Sequence, residues 1–215
     1  VMWHLAKTTF DNAILTDKQR TDIRAPIYKR GNPAELANFR PVSMMDEDLK
    51  LYERTVLDRM RKWDESTPQH PKVQQNGTHP SSFGGKKGRD AQIALMTIKE
   101  KARSRQFNQI ENGETALIVA DIKSAFPSLW REGLAFYLIK KGIPTSLYKR
   151  WRISKTKLHG KVKVGNYPGI DVTYPQGVNQ GAPLAADEWG WSLESLSNDI
   201  QRLKDDAIAK WPQLP

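Results

Sequence analysis

Apolar residues recur at three- and four-residue spacing through Leu49, Tyr52, Val56, Met60 and Trp63, the period of one helix face. The pattern predicts a helix over 46–63, with Asp46 or Asp48 as its cap. A polar stretch containing Pro and Gly, 65–88, is expected to be loop. Asp90 then caps a second expected helix that carries Ile93 and Met96 inward, with Leu95 and Ile98 as further inward candidates, and ends in a basic turn from Lys99 to Arg105. Thr115 to Asp121 has the short, apolar, partly β-branched character of a buried strand. Its carboxylate end runs into Ala125-Phe126-Pro127, where Pro127 suits the first turn of a helix. That helix is expected to continue through Leu134, Tyr137 and Leu138 to Gly142, placed as the C′ residue before Ile143-Pro144. Lys161–Val164 and Ile170–Tyr174 read as a hairpin across 165–169, and a turn from Gly177 to Pro183 leads into a last helix. Helices, strand, helices, hairpin, helix is an α+β order.

At 215 residues the chain can bury a sizeable core as one domain or two small ones. It has no Cys, which removes disulfides, a thiol nucleophile and Cys-based metal sites, and suits a reducing compartment; nuclear or cytoplasmic residence is left open. The longest apolar runs, such as Ala116 to Ala120, are far short of the roughly 20 residues that span a bilayer, so no membrane span is expected. The first seven residues, Val1 to Lys7, lack the regions of a signal peptide and an initiator Met. With an end in Trp211-Pro212-Gln213-Leu214-Pro215, this suggests a piece of a larger polyprotein.

The net charge is +10, and nearly all of the surplus falls between Gly133 and Ile170. Lys140, Lys141, Lys149, Arg150, Arg152, Lys155, Lys157, Lys161 and Lys163 lie there with no acid among them, interleaved with Tyr148, Trp151 and Tyr167. Such a segment can hold polyanions by neutralising phosphates and releasing counterions; the plainer alternative is a solvated basic face. From Asp187 to Asp206, acids outnumber bases, so that segment is not expected to bind phosphate.

Three blocks carry a more specific signal. The first is Pro26-Ile27-Tyr28-Lys29-Arg30-Gly31-Asn32-Pro33 followed by Asn38-Phe39-Arg40-Pro41-Val42-Ser43; the second is Ser82-Phe83-Gly84-Gly85-Lys86-Lys87-Gly88-Arg89-Asp90. The third joins Ala120-Asp121-Ile122-Lys123-Ser124-Ala125-Phe126 to Gly177-Val178-Asn179-Gln180-Gly181-Ala182-Pro183-Leu184. In this order and spacing they resemble the reverse transcriptases of non-LTR, LINE-type retroelements over nearly the whole chain. The resemblance implies a right-hand polymerase fold with a helical, loop-containing fingers-like region over 1–115 and a partial palm over 116–215, in which 120–126 is similar to motif A and 177–184 to motif B.

It further implies RNA-directed DNA polymerisation, with an RNA template, a DNA primer and deoxynucleotide triphosphates as partners. Attack of a primer 3′ hydroxyl on an α-phosphate develops charge at both oxygens, which two magnesium ions, with manganese as a possible substitute, can stabilise. Asp121 and the Ile122 carbonyl would supply part of their oxygen shell. Ser124 and Ala125 would present backbone amides to the triphosphate, and Phe126 would lie against the sugar C2′ and reject a 2′ hydroxyl. Lys29 and Arg40 would clamp the phosphates, Arg through its fork of donors. Gln180 and Gly181 would meet the incoming nucleotide and template, while Lys149, Arg150, Arg152, Lys155, Lys157, Lys161 and Lys163 would hold nucleic acid. Taken singly, Asp121 also fits a strand-end turn, Phe126 a core position, and Gln180 an ordinary turn.

The chain departs from the family after motif B, where Ala185-Ala186-Asp187-Glu188-Trp189 places two acids at apolar positions. The adjacent aspartates of motif C have only Asp205 and Asp206 as candidates, without an apolar strand before them. Two accounts follow. Either the remaining metal-site residues belong to a larger polyprotein, or the chain is a catalytically inactive copy that binds nucleic acid or another protein. His4, His70, His79 and His159 show no metal-ligand spacing.

Overall fold

The computed structural model describes residues 2–67, 83–84, 88–107, 119–163 and 169–210. The apolar stripe of 46–63 folds as α3, Glu47–Ser66, with Asp46 accepting from the Asp48 amide as its cap. Leu49, Tyr52, Val56 and Met60 are buried along one face of it. Before it come α1 (Met2–Asn12), the short α2 (Asp17–Arg20) and two strands, β1 (Thr21–Tyr28) and β2 (Phe39–Met44). After it come α4 (Ala91–Phe107), α5 (Ala125–Ser128), α6 (Arg131–Lys140), α7 (Thr145–Ile153), the hairpin β3 (His159–Val162) and β4 (Ile170–Thr173), and α8 (Ala185–Lys210). The architecture is α+β with one four-stranded sheet of order β2-β1-β3-β4.

The sheet closes distant segments: β1 runs antiparallel to β2 and parallel to β3, so the fold ties residues 21–24 to 159–162. Pro26 faces Pro41 across the β1–β2 pair. Lys29 donates to the Asn38 carbonyl at 2.8 Å, which makes 29/38 a bonded pair. Alternation then makes Pro26/Pro41 a non-bonded pair, where neither ring needs an N–H to give. Prolines in both runs are what hid these strands from a pattern-based reading.

An apolar core lies between α3, α6, α7 and α8, with Val56, Met60, Leu138, Trp151, Leu184 and Trp191 fully buried. Helix α6 ends as expected at Gly142, whose φ is +85°. Gly142 N–H donates to the Ile139 carbonyl at 2.9 Å and Ile143 N–H to the Leu138 carbonyl at 3.1 Å, the paired bonds of a glycine-terminated helix. Asp90 caps α4 by accepting from the Ile93 amide.

Three expectations are corrected. Ile93, Leu95, Met96 and Ile98 of α4 are exposed, not inward. Four apolar residues crowded into six positions spread around the helix and make no stripe. The helix expected to run on from Pro127 is broken into α5 and α6 at Leu129-Trp130. Val119 to Asp121 is not strand; positions 115–118 lie outside the described residues, as do most of the 65–88 loop, Gly85 to Lys87, and Val164 to Pro168. No described helix is long and apolar enough to cross a membrane.

Candidate functional site

Strand β2 is an edge, and the same alternation that pairs Pro26 with Pro41 turns the Ser43 N–H away from β1. That amide donates to the Gln180 carbonyl at 3.0 Å. Gly181, at φ +107°, abuts the strand so closely that a Cβ there would lie 3.2 Å from the Ser43 oxygen and 3.9 Å from Val42 Cγ1. The other end of the same loop is fixed to α5. Gly177 N–H donates to the Leu129 carbonyl at 2.8 Å and Val178 N–H to the Phe126 carbonyl at 2.9 Å. At Gly177 φ is +83°, and a Cβ would meet the Pro127 oxygen at 2.4 Å, so only glycine fits. Loop 177–181 is therefore held between β2 and the 125–129 segment.

This arrangement brings Phe126, Gln180 and Gly181 into one region. Phe126 is half-buried against the core, and Gln180 is half-buried. Arg40 is exposed on the face of β2 that also carries Val42, two residues and about 7 Å along the strand. Lys29 is exposed just past the end of β1, at the tip of the hairpin and further from the loop. Ser124 precedes α5 in left-handed backbone, φ +55° and ψ +46°, rare for a residue with a Cβ, and its carbonyl accepts the Ser128 amide at 3.0 Å. Ala125 opens α5, and Asp121 and Ile122 are exposed on the segment leading into it.

Sequence reading missed the polar group that orients this loop from behind. Arg24 stacks on the Tyr174 ring at 3.6 Å, donates to Asn179 Oδ1 at 3.2 Å, and reaches the buried Asp22 at 3.4 Å. Burial, reinforced by Asp22, pushes the Tyr174 hydroxyl up to about 12. The available signal was alternation along β1, where Asp22 and Arg24 share the inward face between Ile23 and Ala25; the proline at 26 masked it.

A two-magnesium centre needs several hard oxygen ligands. In this region the chain offers Asp121 and the Ile122 carbonyl, and among the described residues no group of three or more His, Asp or Glu side chains forms a metal cluster. The described donors alone do not complete such a centre. Asp205 and Asp206 lie within α8, not in a strand-to-strand turn. Adjacent helical side chains diverge by about 100°, and Asp205 already accepts from Gln201 at 2.9 Å. Asp205 sits about 30 Å along the helix from Ala185, where the 177–184 loop joins it.

The basic segment is also redistributed. Lys155, expected on a phosphate-binding surface, is buried and lies 2.9 Å from Glu53 and 3.1 Å from Glu188. Lys141 is held by Asp64 at 2.5 Å and Glu194 at 3.0 Å. Arg152 pairs with Glu132 and Lys161 with Asp171, the acids that flank the acid-free window on either side. Arg150 donates to the carbonyls of Phe10 and Ser146. Lys140, Lys149, Lys157 and Lys163 are exposed without ion pairs among the described residues. Asp187 and Glu188 have a structural role: Arg61 grips Asp187 through two bonds, and Glu188 faces Lys155 and the Trp151 Nε1 donor.

No protein-family model matches the chain, and comparison with curated proteins finds no significant match.

Proposed function

We propose that the chain is a reverse-transcriptase-like module, a fingers-like hairpin and partial palm that positions a deoxynucleotide against a primer on an RNA template. The observation that carries this reading is the docking of loop 177–181 between β2 and the Phe126 segment, through the Ser43–Gln180 and Val178–Phe126 bonds. Strand β2 of the first block and the two halves of the third, 120–126 and 177–184, which the resemblance assigns to one nucleotide pocket, adjoin each other. In this reading Phe126 faces the sugar, Gln180 and Gly181 the base and template, and Arg40 the phosphates, with Lys29 reaching in from the hairpin tip. Lys149, Lys157 and Lys163 contribute the exposed charge for nucleic acid. Magnesium would engage Asp121, with further carboxylates needed beyond those described.

The second reading, a nucleic-acid-binding module without chemistry, is favoured by the position of Asp205 and Asp206 inside α8. Primer extension on an RNA template with magnesium separates the two. Deoxynucleotide incorporation that Asp121→Ala abolishes supports the polymerase. Template–primer binding without incorporation supports the binding module, and absence of binding contradicts both.

A further inference from the structure

A cavity of about 960 Å³ opens between α6 and α8, within the size of sites that hold small organic ligands. It shares Ile122 with the segment before α5 but includes neither Phe126 nor Gln180. Trp130 lines it and is 70% exposed, unusual for the largest apolar side chain. The ring nevertheless has a close neighbour. A Cβ on Gly133 would lie 2.2 Å from its Cε3 and 2.8 Å from Cδ2 and Cζ3, so the six-membered ring of the indole packs against the bare backbone of α6 at Gly133. Tyr137 and Trp189 add further aromatic wall.

The α8 side is polar. Ser195, Asn198 and Arg202 follow at three- and four-residue steps, which places them on one helix face. Ser195 and Asn198 make no side-chain hydrogen bond among the described residues, so an amide and a hydroxyl are available to a ligand edge. Lys140 on α6 and Arg202 on α8 bring two cations against one acid, Asp199, which lies 3.5 Å from Arg202.

A flat aromatic platform, a wall of neutral donors and acceptors, and a small positive excess together match one ligand chemistry. We propose that this cavity binds a nucleobase carrying a phosphate, with the base stacked on Trp130, its edge on Asn198 and Ser195, and the phosphate near Lys140 and Arg202. Base–aromatic stacking tolerates any base, and an Asn amide suits the edge of adenine. The ligand can come as a free nucleotide or as an unpaired base in a strand. This site rests on the cavity alone and stands apart from the polymerase reading.

The test is titration of the full chain with deoxyadenosine monophosphate, with a six-nucleotide single strand of deoxyadenosine, and with inorganic phosphate, followed by calorimetry. Binding of the monophosphate identifies a free nucleotide as sufficient; binding of the oligonucleotide alone identifies a strand. Inorganic phosphate is expected to bind at least tenfold more weakly than either. Trp130→Ala is expected to weaken binding about tenfold. Trp130→Phe restores most of the affinity, and Gly133→Ala weakens it by displacing the indole without removing it. No binding of either nucleotide probe overturns the proposal, as does a Trp130→Ala protein that binds like the parent. Because the probe carries no triphosphate and Trp130 lies outside loop 177–181, failure here leaves the sugar preference assigned to Phe126 as a separate question.

Discussion

Lys155 and Glu188 meet at 3.1 Å in the interior of the molecule, each with almost no exposed side chain. Glu53 approaches the same ammonium at 2.9 Å, so two carboxylates share one cation, and one oxygen of each, Glu53 Oε2 and Glu188 Oε2, has no hydrogen-bond partner among the described residues. Removing the cation leaves both acids buried and uncompensated. Lys155→Met is expected to destabilise the fold by about 3–5 kcal/mol, measured as a loss of urea unfolding free energy. A loss below about 1 kcal/mol would show that the lysine is not the counterion of this core.

The same triad predicts a pH dependence. Burial holds the Glu188 carboxyl above its ordinary range; Lys155 pulls it down and Glu53 pushes it further up. A carboxyl whose folded pKa exceeds its unfolded value, about 4.3, contributes fully below that value and loses the contribution as pH rises through the folded pKa. Glu188→Gln keeps the neutral form at every pH. Its stability relative to the parent is therefore expected to improve as pH rises from 5 to 8. A difference that stays constant across that range would contradict the assignment.

The two loop glycines differ in what a side chain would strike. Gly177→Ala would drive a methyl to 2.4 Å from the Pro127 oxygen at a positive φ, a cost of about 1–3 kcal/mol. Gly181→Ala keeps 3.2 Å from the Ser43 oxygen, so its penalty is mainly conformational, about 1 kcal/mol. Thermal unfolding of the two variants should rank Gly177→Ala as the less stable, and the reverse order would contradict the loop's docking.

The exposed lysines make a different prediction. Replacing Lys149, Lys157 and Lys163 by Ser is expected to lower the salt dependence of binding to single-stranded RNA, by about one unit of slope for each phosphate that is no longer neutralised. Arg152→Gln and Lys161→Ser, whose charges already face Glu132 and Asp171, should change the slope less. Equal effects from both sets would show that the flanking acids do not set the surface.

What the sequence made legible was local. The period of Leu49 to Met60, the caps at Asp46 and Asp90 and the stop at Gly142 depend on neighbours within a turn or two, and each is found where the pattern placed it. What it concealed was long-range. Charge counted along the chain could not show that Lys141 and Lys155 point inward to acids on α3 and α8. Glu194 and Asp64 lie 53 and 77 positions from Lys141, and Glu53 lies 102 positions from Lys155. Strands β1 and β2 were hidden by Pro26 and Pro41, whose compatibility depends on a register that only the paired strands define. Gln180 and Gly181 stand out in the sequence by their motif spacing, whereas Arg24 and Ser43, which contact that loop, belong to strands that the pattern did not reveal.

The most direct test of the central claim is nucleotide choice. Binding of a deoxynucleoside triphosphate and the matching ribonucleotide would be compared on the chain assembled with an RNA template and DNA primer in magnesium, for the parent and for Phe126→Ala. The account predicts that the parent prefers the deoxynucleotide and that Phe126→Ala binds both alike, because the ring proposed to exclude a 2′ hydroxyl is gone. A parent without sugar preference, or a preference that survives Phe126→Ala, would contradict it.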